Sequence, residues 1–403
     1  MDDSSIISRR NVLRAAAVGA GAIAVGGPAV VRPGRAEAAT AFYKGADISH
    51  LRSGRLQMTP QTRRTPQAPQ PRRLDIPHRA ATFLIALLVA TAAMLSGATP
   101  SQAATTYPNP DPISGSTYAH DPSMVKTSAG RYYLFYTGGG VQISTSTDRV
   151  HWSSAGQVLP QGATWAKAYG GWNDLWAPDV SFHNGAYWLY YAVSSFGSNH
   201  SAIGLATSTT AAPSSWTDHG LVYASQSSGD YNAIDPALLV DASGHWWLSL
   251  GSFWSGIKMI QIDPATGKQL ASNTTRYNLA QRPSPDALEA SYVYRHGSYY
   301  YLFTSFDYCC RGTSSTYNIR VARSANPTGP YTDENGTAVL SGGGTQILAT
   351  HGNVIGPGGQ TVMADRDGDV LVYHYYDGNQ NGTAQLGLDH LAWGSNGWPT
   401  VVS

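Results

Sequence analysis

His120-Asp121-Pro122, then Arg131-Tyr-Tyr-Leu-Phe-Tyr-Thr137, then Val141-Gln-Ile-Ser144: a polar opening that carries an acid, an aromatic run, and a third apolar segment. The same order returns with openings at Ala177-Pro178-Asp179, Ile234-Asp235-Pro236, Leu288-Glu289-Ala290 and His351-Gly352-Asn353. From Asp121 to Asp179, Asp235, Glu289 and His351 the steps are 58, 56, 54 and 62 residues. The matching aromatic runs are Ala186-Tyr-Trp-Leu-Tyr-Tyr-Ala192, His245-Trp-Trp-Leu-Ser-Leu250, Ser298-Tyr-Tyr-Tyr-Leu-Phe-Thr304 and Val370-Leu-Val-Tyr-His-Tyr-Tyr376. A unit of several short strands repeated at this period means radial or solenoid architecture, and four-stranded units point to propeller blades. The expected fold is all-β, a five-bladed β-propeller with four-stranded blades over 104–403, which places five opening residues on one axis.

Composition agrees. Aromatic residues make up 11% of the chain, glycine is plentiful (43 residues) and charged residues are only 13%. Strand formers separated by Gly, Asn, Asp and Ser clusters are how short antiparallel strands read in sequence.

The net charge of +1 hides two opposed halves. Residues 1–103 carry 13 Lys+Arg against 5 Asp+Glu, whereas 104–403 carry 13 against 20. The repeat region is therefore acidic, which argues against nucleic acid as its partner and in favour of a neutral ligand.

The basic part reads as export. Ser8-Arg9-Arg10-Asn11-Val12-Leu13-Arg14 precedes an apolar Gly/Ala-rich stretch, and Ala36-Glu37-Ala38 ends it with small residues. Residues 1–38 are thus a twin-arginine-type signal peptide. Residues 39–74, rich in Pro, Gln and Arg, read as a disordered linker. Within them Phe42-Tyr-Lys-Gly-Ala-Asp-Ile-Ser49 resembles the opening of family 53 endo-galactanases, too short to carry activity. Residues 75–103 are a second signal-like segment, with an uncharged run from Ala80 to Leu95 and a cleavage-like Ser101-Gln102-Ala103. A membrane anchor is the alternative, but the apolar core is short and small residues end it. The expectation is a secreted, monomeric domain with no membrane attachment once processed. A fused or mis-started reading frame is the other explanation for two signals in series.

Ala119-His-Asp-Pro-Ser123, Trp176-Ala-Pro-Asp179, Asn232-Ala-Ile-Asp-Pro236, Leu288-Glu-Ala-Ser291, Ser305-Phe-Asp-Tyr-Cys-Cys-Arg-Gly312 and Thr350-His-Gly-Asn353 occur in order at one-blade spacing. With these motifs, Tyr107 to Ser403 resembles glycoside hydrolase family 43 and, within it, the endo-α-1,5-L-arabinanases. The resemblance implies hydrolysis of arabinan with inversion, with Asp121 as general base, Glu289 as general acid and Asp235 as modulator of that acid. An exo-acting arabinofuranosidase or β-xylosidase of the same fold is the alternative, and a non-catalytic sugar-binding propeller a weaker one.

The chemistry asks for such a trio independently. Inverting hydrolysis needs one carboxylate to deprotonate water and one carboxylic acid to protonate the leaving oxygen, about 6.5–9.5 Å apart. A third carboxylate near Glu289 disfavours its ionisation. Asp121 must stay ionised, so it should lie nearer hydrogen-bond donors than Asp235.

Further candidates surround the trio. Asp179 opens its blade as the others do and could contact sugar hydroxyls, or serve structure alone. His120 sits beside the base and is expected to support it. Trp176, Phe196 and Phe253-Trp254 should emerge near the cleft rim, where aromatic faces suit sugar C–H faces; Trp176 and Trp254 are the preferred ligand contacts. His351 takes the fifth opening; by residue type alone it reads as a neutral histidine bonded to backbone, whereas the resemblance implies that it helps to hold a calcium ion, mainly through waters. Asp365-Arg-Asp-Gly-Asp369 has the alternating acids of a calcium loop, yet Tyr376 stands where such a loop needs Glu, so a hairpin turn is expected. Cys309 and Cys310 are adjacent; the resemblance implies a rigid vicinal disulfide near the cleft, with two free thiols as the alternative.

Overall fold

The computed structural model describes residues 106–403. The two signal-like segments and the linker between them lie outside the described residues.

In chain order the strands of the first blade are β1 (Ser114–Gly115), β2 (Ser123–Lys126), β3 (Tyr132–Tyr136), β4 (Gly138–Gly139), β5 (Gln142–Ser146) and β6 (His151–Gln157). The second blade is β7 (Asp174–His183), β8 (Ala186–Val193), β9 (Ala202–Ser208) and β10 (Thr217–Ala224). The third is β11 (Ala237–Val240), β12 (Trp246–Leu250), β13 (Ile257–Ile262) and β14 (Tyr277–Ala280). The fourth is β15 (Leu288–His296), β16 (Tyr299–Phe306), β17 (Asn318–Ser324) and β18 (Thr345–Leu348). The fifth is β19 (Val354–Asp365), β20 (Gly368–Asp377), β21 (Thr383–Trp393) and β22 (Pro399–Val402). Five sheets thus form five blades, each a meander running from axis to rim, and the expected architecture is the observed one. Two blades exceed four strands: β1 adds in parallel outside β6, and β4 leaves the first blade to pair with β7.

The aromatic runs are second strands, and their two faces meet different neighbours because strand side chains alternate. Leu134 and Tyr132 pack with Val370, Val372 and Leu388 of the fifth blade, while Phe135 packs with Val180, Leu189 and Tyr191 of the second. The same division recurs at the other interfaces, as where Tyr301 and Phe303 meet Val362, Leu371 and Tyr373. Both faces are therefore buried, which is why these strands read as near-continuous apolar runs rather than alternating ones. Burying each Leu, Val or Phe is worth about 1.5–3 kcal/mol, so the blade interfaces, rather than any central core, carry the hydrophobic stabilisation.

The ring closes without a shared blade. Leu386 donates its amide to Thr117 O, and Asp111 donates to Leu388 O, which ties the leading segment to β21. On the other side Asp365 accepts from Lys126 Nζ (2.7 Å), Tyr132 Oη (2.6 Å) and Arg149 Nη1 (3.1 Å) of the first blade. Asp365 pairs with Gly368 across the β19–β20 turn. The acidic stretch is thus the expected hairpin turn, with Asp365 joining blades five and one. The first strands β2, β7, β11, β15 and β19 touch in ring order, and β19 returns to β2.

Candidate active site

The openings of the first four blades fall where the chain enters its first strand at the axis. Each entry contains a non-glycine residue in the left-handed backbone region: Asp121 (φ 47°), Ala177 (41°), Asp235 (54°) and Ala290 (53°). Such backbone costs about 1–3 kcal/mol per residue and collects at functional sites. Here it turns the opening side chains toward a cavity of about 770 Å3 lined by Asp121, Asp235 and Glu289 together. His120, Trp176, Phe196, Phe253, Trp254, Cys309 and Cys310 line the same cavity.

The three carboxyls differ in surroundings. Burial alone would raise Asp121, but His120, His374 and the Thr137 hydroxyl outweigh it and hold the carboxyl at about 2. Its Oδ2 lies 2.8 Å from His120 Nδ1 and accepts from Thr137 Oγ1 at 3.0 Å, while its amide donates to His374 Nδ1 at 3.1 Å. Glu289 is buried, and burial is the main cause that raises it; Asp121 adds to the rise. Ser252 Oγ donates to its Oε2 at 2.6 Å and the Tyr317 hydroxyl donates to Oε1, which together moderate that rise. Asp235 is pushed well above the carboxylate range by burial first, then by Glu289 and Asp121. Among the described residues its one hydrogen bond is accepted from the Ala290 amide, at 2.9 Å. Asp121 therefore does lie nearer donors than Asp235, as the chemistry requires.

Asp179 departs from the substrate-contact expectation. It faces the axis but does not line the large cavity; with Asp121 and Asp235 it borders a second, narrow cavity of about 30 Å3. Ser123 Oγ donates to its Oδ1 (3.3 Å) and the Leu238 amide to its Oδ2 (2.8 Å), so it links blades one, two and three. Burial pushes its carboxyl up to about 7. The difference is one of register: β7 extends past Asp179 toward the cleft as far as Asp174, so Trp176 reaches the cavity and Asp179 sits deeper.

His351 departs as well. It does not take the fifth axial place. β19 begins three residues later and contains two irregularities of register, and the residues it brings to the axis are Gly359, Gln360 and Thr361. A Cβ at Gly359 would lie 2.5 Å from Asp121 Oδ1 and 2.6 Å from His374 Nδ1, so only glycine lets the fifth strand approach so closely. Gln360 Nε2 donates to Ala290 O (2.7 Å), and its Oε1 accepts from Ser305 Oγ (2.7 Å). His351 Nδ1 lies 2.8 Å from Ala349 O; its Nε2 is buried without a hydrogen-bond partner among the described residues. It belongs to neither metal-sized cluster of His, Cys, Asp and Glu among the described residues. Calcium prefers six to eight oxygen ligands, and this imidazole alone could give an ion no more than one contact.

Cys309 and Cys310 form a disulfide, and no free cysteine remains among the described residues. The residues that sequence reading missed are hydrogen-bond partners. Tyr317, Ser252, Thr137, His374 and Tyr376 all touch the opening side chains from other strands or loops. His374 had a visible signal, being the single imidazole inside the Val370–Tyr376 run.

Comparison with known proteins agrees with this geometry. Residues 110–399 match the model of glycosyl hydrolases family 43. Extracellular endo-alpha-(1->5)-L-arabinanase 1 of Bacillus subtilis is 44% identical over 290 residues, covering 70% of this chain and 87% of the relative. The GH43 endo-arabinanase from Bacillus licheniformis superposes with a TM-score of 0.68 at 44% identity, over 72% of this chain and 99% of that one. An exo-1,5-alpha-L-arabinanase from a bovine ruminal metagenomic library gives 0.68 at 37% identity, over 71% and 97%. A five-bladed ring with three axial carboxyls in one cavity, and a family match that spans all five blades, lead to one conclusion: the chain belongs to glycosyl hydrolases family 43 and is a glycoside hydrolase.

Proposed function

We propose that this enzyme cleaves internal α-1,5-L-arabinofuranosidic links of arabinan with inversion of configuration. The observation that carries the reading is the pairing, in one cavity, of a carboxylate held ionised with a buried carboxyl pushed up: Asp121 near 2 and Glu289 above its ordinary value. Two carboxyls whose surroundings drive them apart are the mark of a base and an acid. Asp121 takes a proton from water as the water oxygen attacks the anomeric carbon. The bond from that carbon to the leaving oxygen breaks on the opposite face, and Glu289 delivers its proton to the departing oxygen. Asp235, held beside Glu289 through the Ala290 amide, and Glu289 oppose a charge on each other, so the pair retains a proton for the leaving group. His120 positions the base, while Trp176 and Trp254 offer aromatic faces to the sugars. Product analysis on linear arabinan tests the proposal: oligosaccharides of intermediate length are expected first, and the variants Asp121→Ala and Glu289→Ala should abolish them.

Exo action is the second reading, favoured by the similarity to the ruminal exo-enzyme; arabinose released alone, with no intermediates, would select it. Secretion is supported by the paired arginines at Arg9 and Arg10 and by the extracellular relative. No helix among the described residues is long and apolar enough to cross a membrane. The mature protein is proposed to be a monomer. A calcium ion near His351 completes the proposal, supported by the buried Nε2 that lacks a partner among the described residues.

A further inference from the structure

The vicinal disulfide and the general base are joined by an unbroken line of hydrogen bonds. The Cys310 amide donates to the Tyr376 hydroxyl at 2.7 Å. Tyr376 Oη lies 3.0 Å from His120 Nε2, and His120 Nδ1 lies 2.8 Å from Asp121 Oδ2. The directions are constrained. An ionised Asp121 can only accept, so Nδ1 carries the proton; in the neutral ring Nε2 then accepts from Tyr376, whose oxygen accepts from the Cys310 amide. If the ring is protonated, Nε2 donates to the same oxygen, and Tyr376 tethers it in either state. Cys310 Sγ also stands 3.7 Å from His120 Nε2, and Cys310 itself has φ 65°, a backbone that needs outside support. The eight-membered ring closed by Cys309 and Cys310 supplies that support, because neither residue can turn without the other.

We propose that Tyr376 is a positioning residue for Asp121, and that the Cys309–Cys310 ring fixes the amide that anchors it. The state of this disulfide then governs turnover from the cleft wall. This rests on the reading of Asp121 as the base. Opening the ring needs a reductant: a small dithiol breaks the S–S bond, the two cysteines take two protons and two electrons, and the dithiol becomes a cyclic disulfide. The Cys310 amide is then released from its fixed direction, its bond to Tyr376 weakens, and with it the hold of Tyr376 on His120 and so on Asp121.

The test uses the secreted enzyme, its Tyr376→Phe variant, a Cys309→Ser/Cys310→Ser double variant and dithiothreitol. Tyr376→Phe should lower kcat about tenfold, the rate equivalent of one hydrogen bond, with KM little changed. The loss should be the same for arabinan and for an aryl arabinoside with an acidic leaving group, since the base acts on the water whichever group leaves. Azide attacks the anomeric carbon without giving up a proton, so it should restore turnover of the aryl substrate by Asp121→Ala, which lacks the carboxylate, and not by Tyr376→Phe, which keeps it. Dithiothreitol should lower kcat of the wild type to the level of the double variant and leave Tyr376→Phe unchanged, because both act through one line. Equal losses in wild type and Tyr376→Phe on reduction, or no loss in either, would overturn the proposal; so would a Tyr376→Phe variant with the wild-type kcat. An Asp121→Ala variant that azide fails to restore would instead refute the assignment of the base.

Discussion

Asp121 and Asp179 both stand in the openings of successive repeats, face the same axis and border the same narrow cavity, yet their chemistry is opposite. Asp121 has two imidazoles and a hydroxyl around it and is held near 2; Asp179 has one hydroxyl and one amide and is pushed to about 7. The contrast extends to whole blades. Blades one, three and four bring Asp121, Asp235 and Glu289 to the cleft, whereas blades two and five supply Asp179 and the Gly359–Gln360 pair that close the axis beneath it. The repeat decides which residues reach the axis. The side chains contributed by other strands decide what those residues can do there.

The largest effects should fall on the reacting side. Asp121→Ala removes the group that activates water and should lower kcat by about 10²–10⁴, for good and poor leaving groups alike; survival of either substrate would break the comparison. Glu289→Ala should cause a loss of similar size on arabinan, with an aryl arabinoside bearing an acidic leaving group spared, because that group departs without a proton. Equal losses on both substrates would remove Glu289 from the acid role.

Asp235→Asn should move the alkaline limb of the pH–rate profile downward. That limb reports deprotonation of the acid, and the substitution removes a carboxyl whose ionisation is tied to that of Glu289. An unmoved limb would leave Asp235 without its assigned effect.

Asp179→Asn sharpens the other half of the comparison, since it should leave kcat/KM nearly unchanged and alter stability instead. An acid raised from 3.8 to about 7 in the folded state contributes stability that is present below about pH 4 and lost as pH rises through 7. The wild-type Tm should therefore decline from pH 5 to pH 8, and Asp179→Asn should flatten part of that decline. Asp389, pushed to about 8 by burial, sustains the remainder. A large loss of kcat with an unchanged Tm profile would return Asp179 to the reacting side. The smallest effect concerns His351: a chelator should lower the Tm by a few degrees in the wild type and less in His351→Ala. If chelation leaves Tm and activity unchanged in both, no ion of consequence is bound there.

Much of this was legible in the sequence because the repeat carries it. The aromatic runs announce second strands, and the acid-bearing openings announce the axis. The fifth blade shows the limit. His351 keeps the spacing of the other openings, yet the axial residue is Gly359, 70 positions after Glu289 (289 to 359) rather than 62. Glycine has no side chain to reveal it, and two irregularities in β19 shift the register. The partners that tune the carboxyls were hidden for another reason. Tyr317 reaches Glu289 and His374 reaches Asp121 across the ring, at sequence separations that no local pattern encodes. Tyr317 in particular reads as one more aromatic core residue at the start of a third strand.

The central claim is that Asp121 delivers water to one face while Glu289 releases the leaving group from the other. Proton NMR of the anomeric signal during the first minutes of arabinan hydrolysis tests this most directly. The account predicts that the first product appears as the β-anomer and then mutarotates; an initial α-anomer would mean retention and would contradict the two-carboxyl inverting scheme.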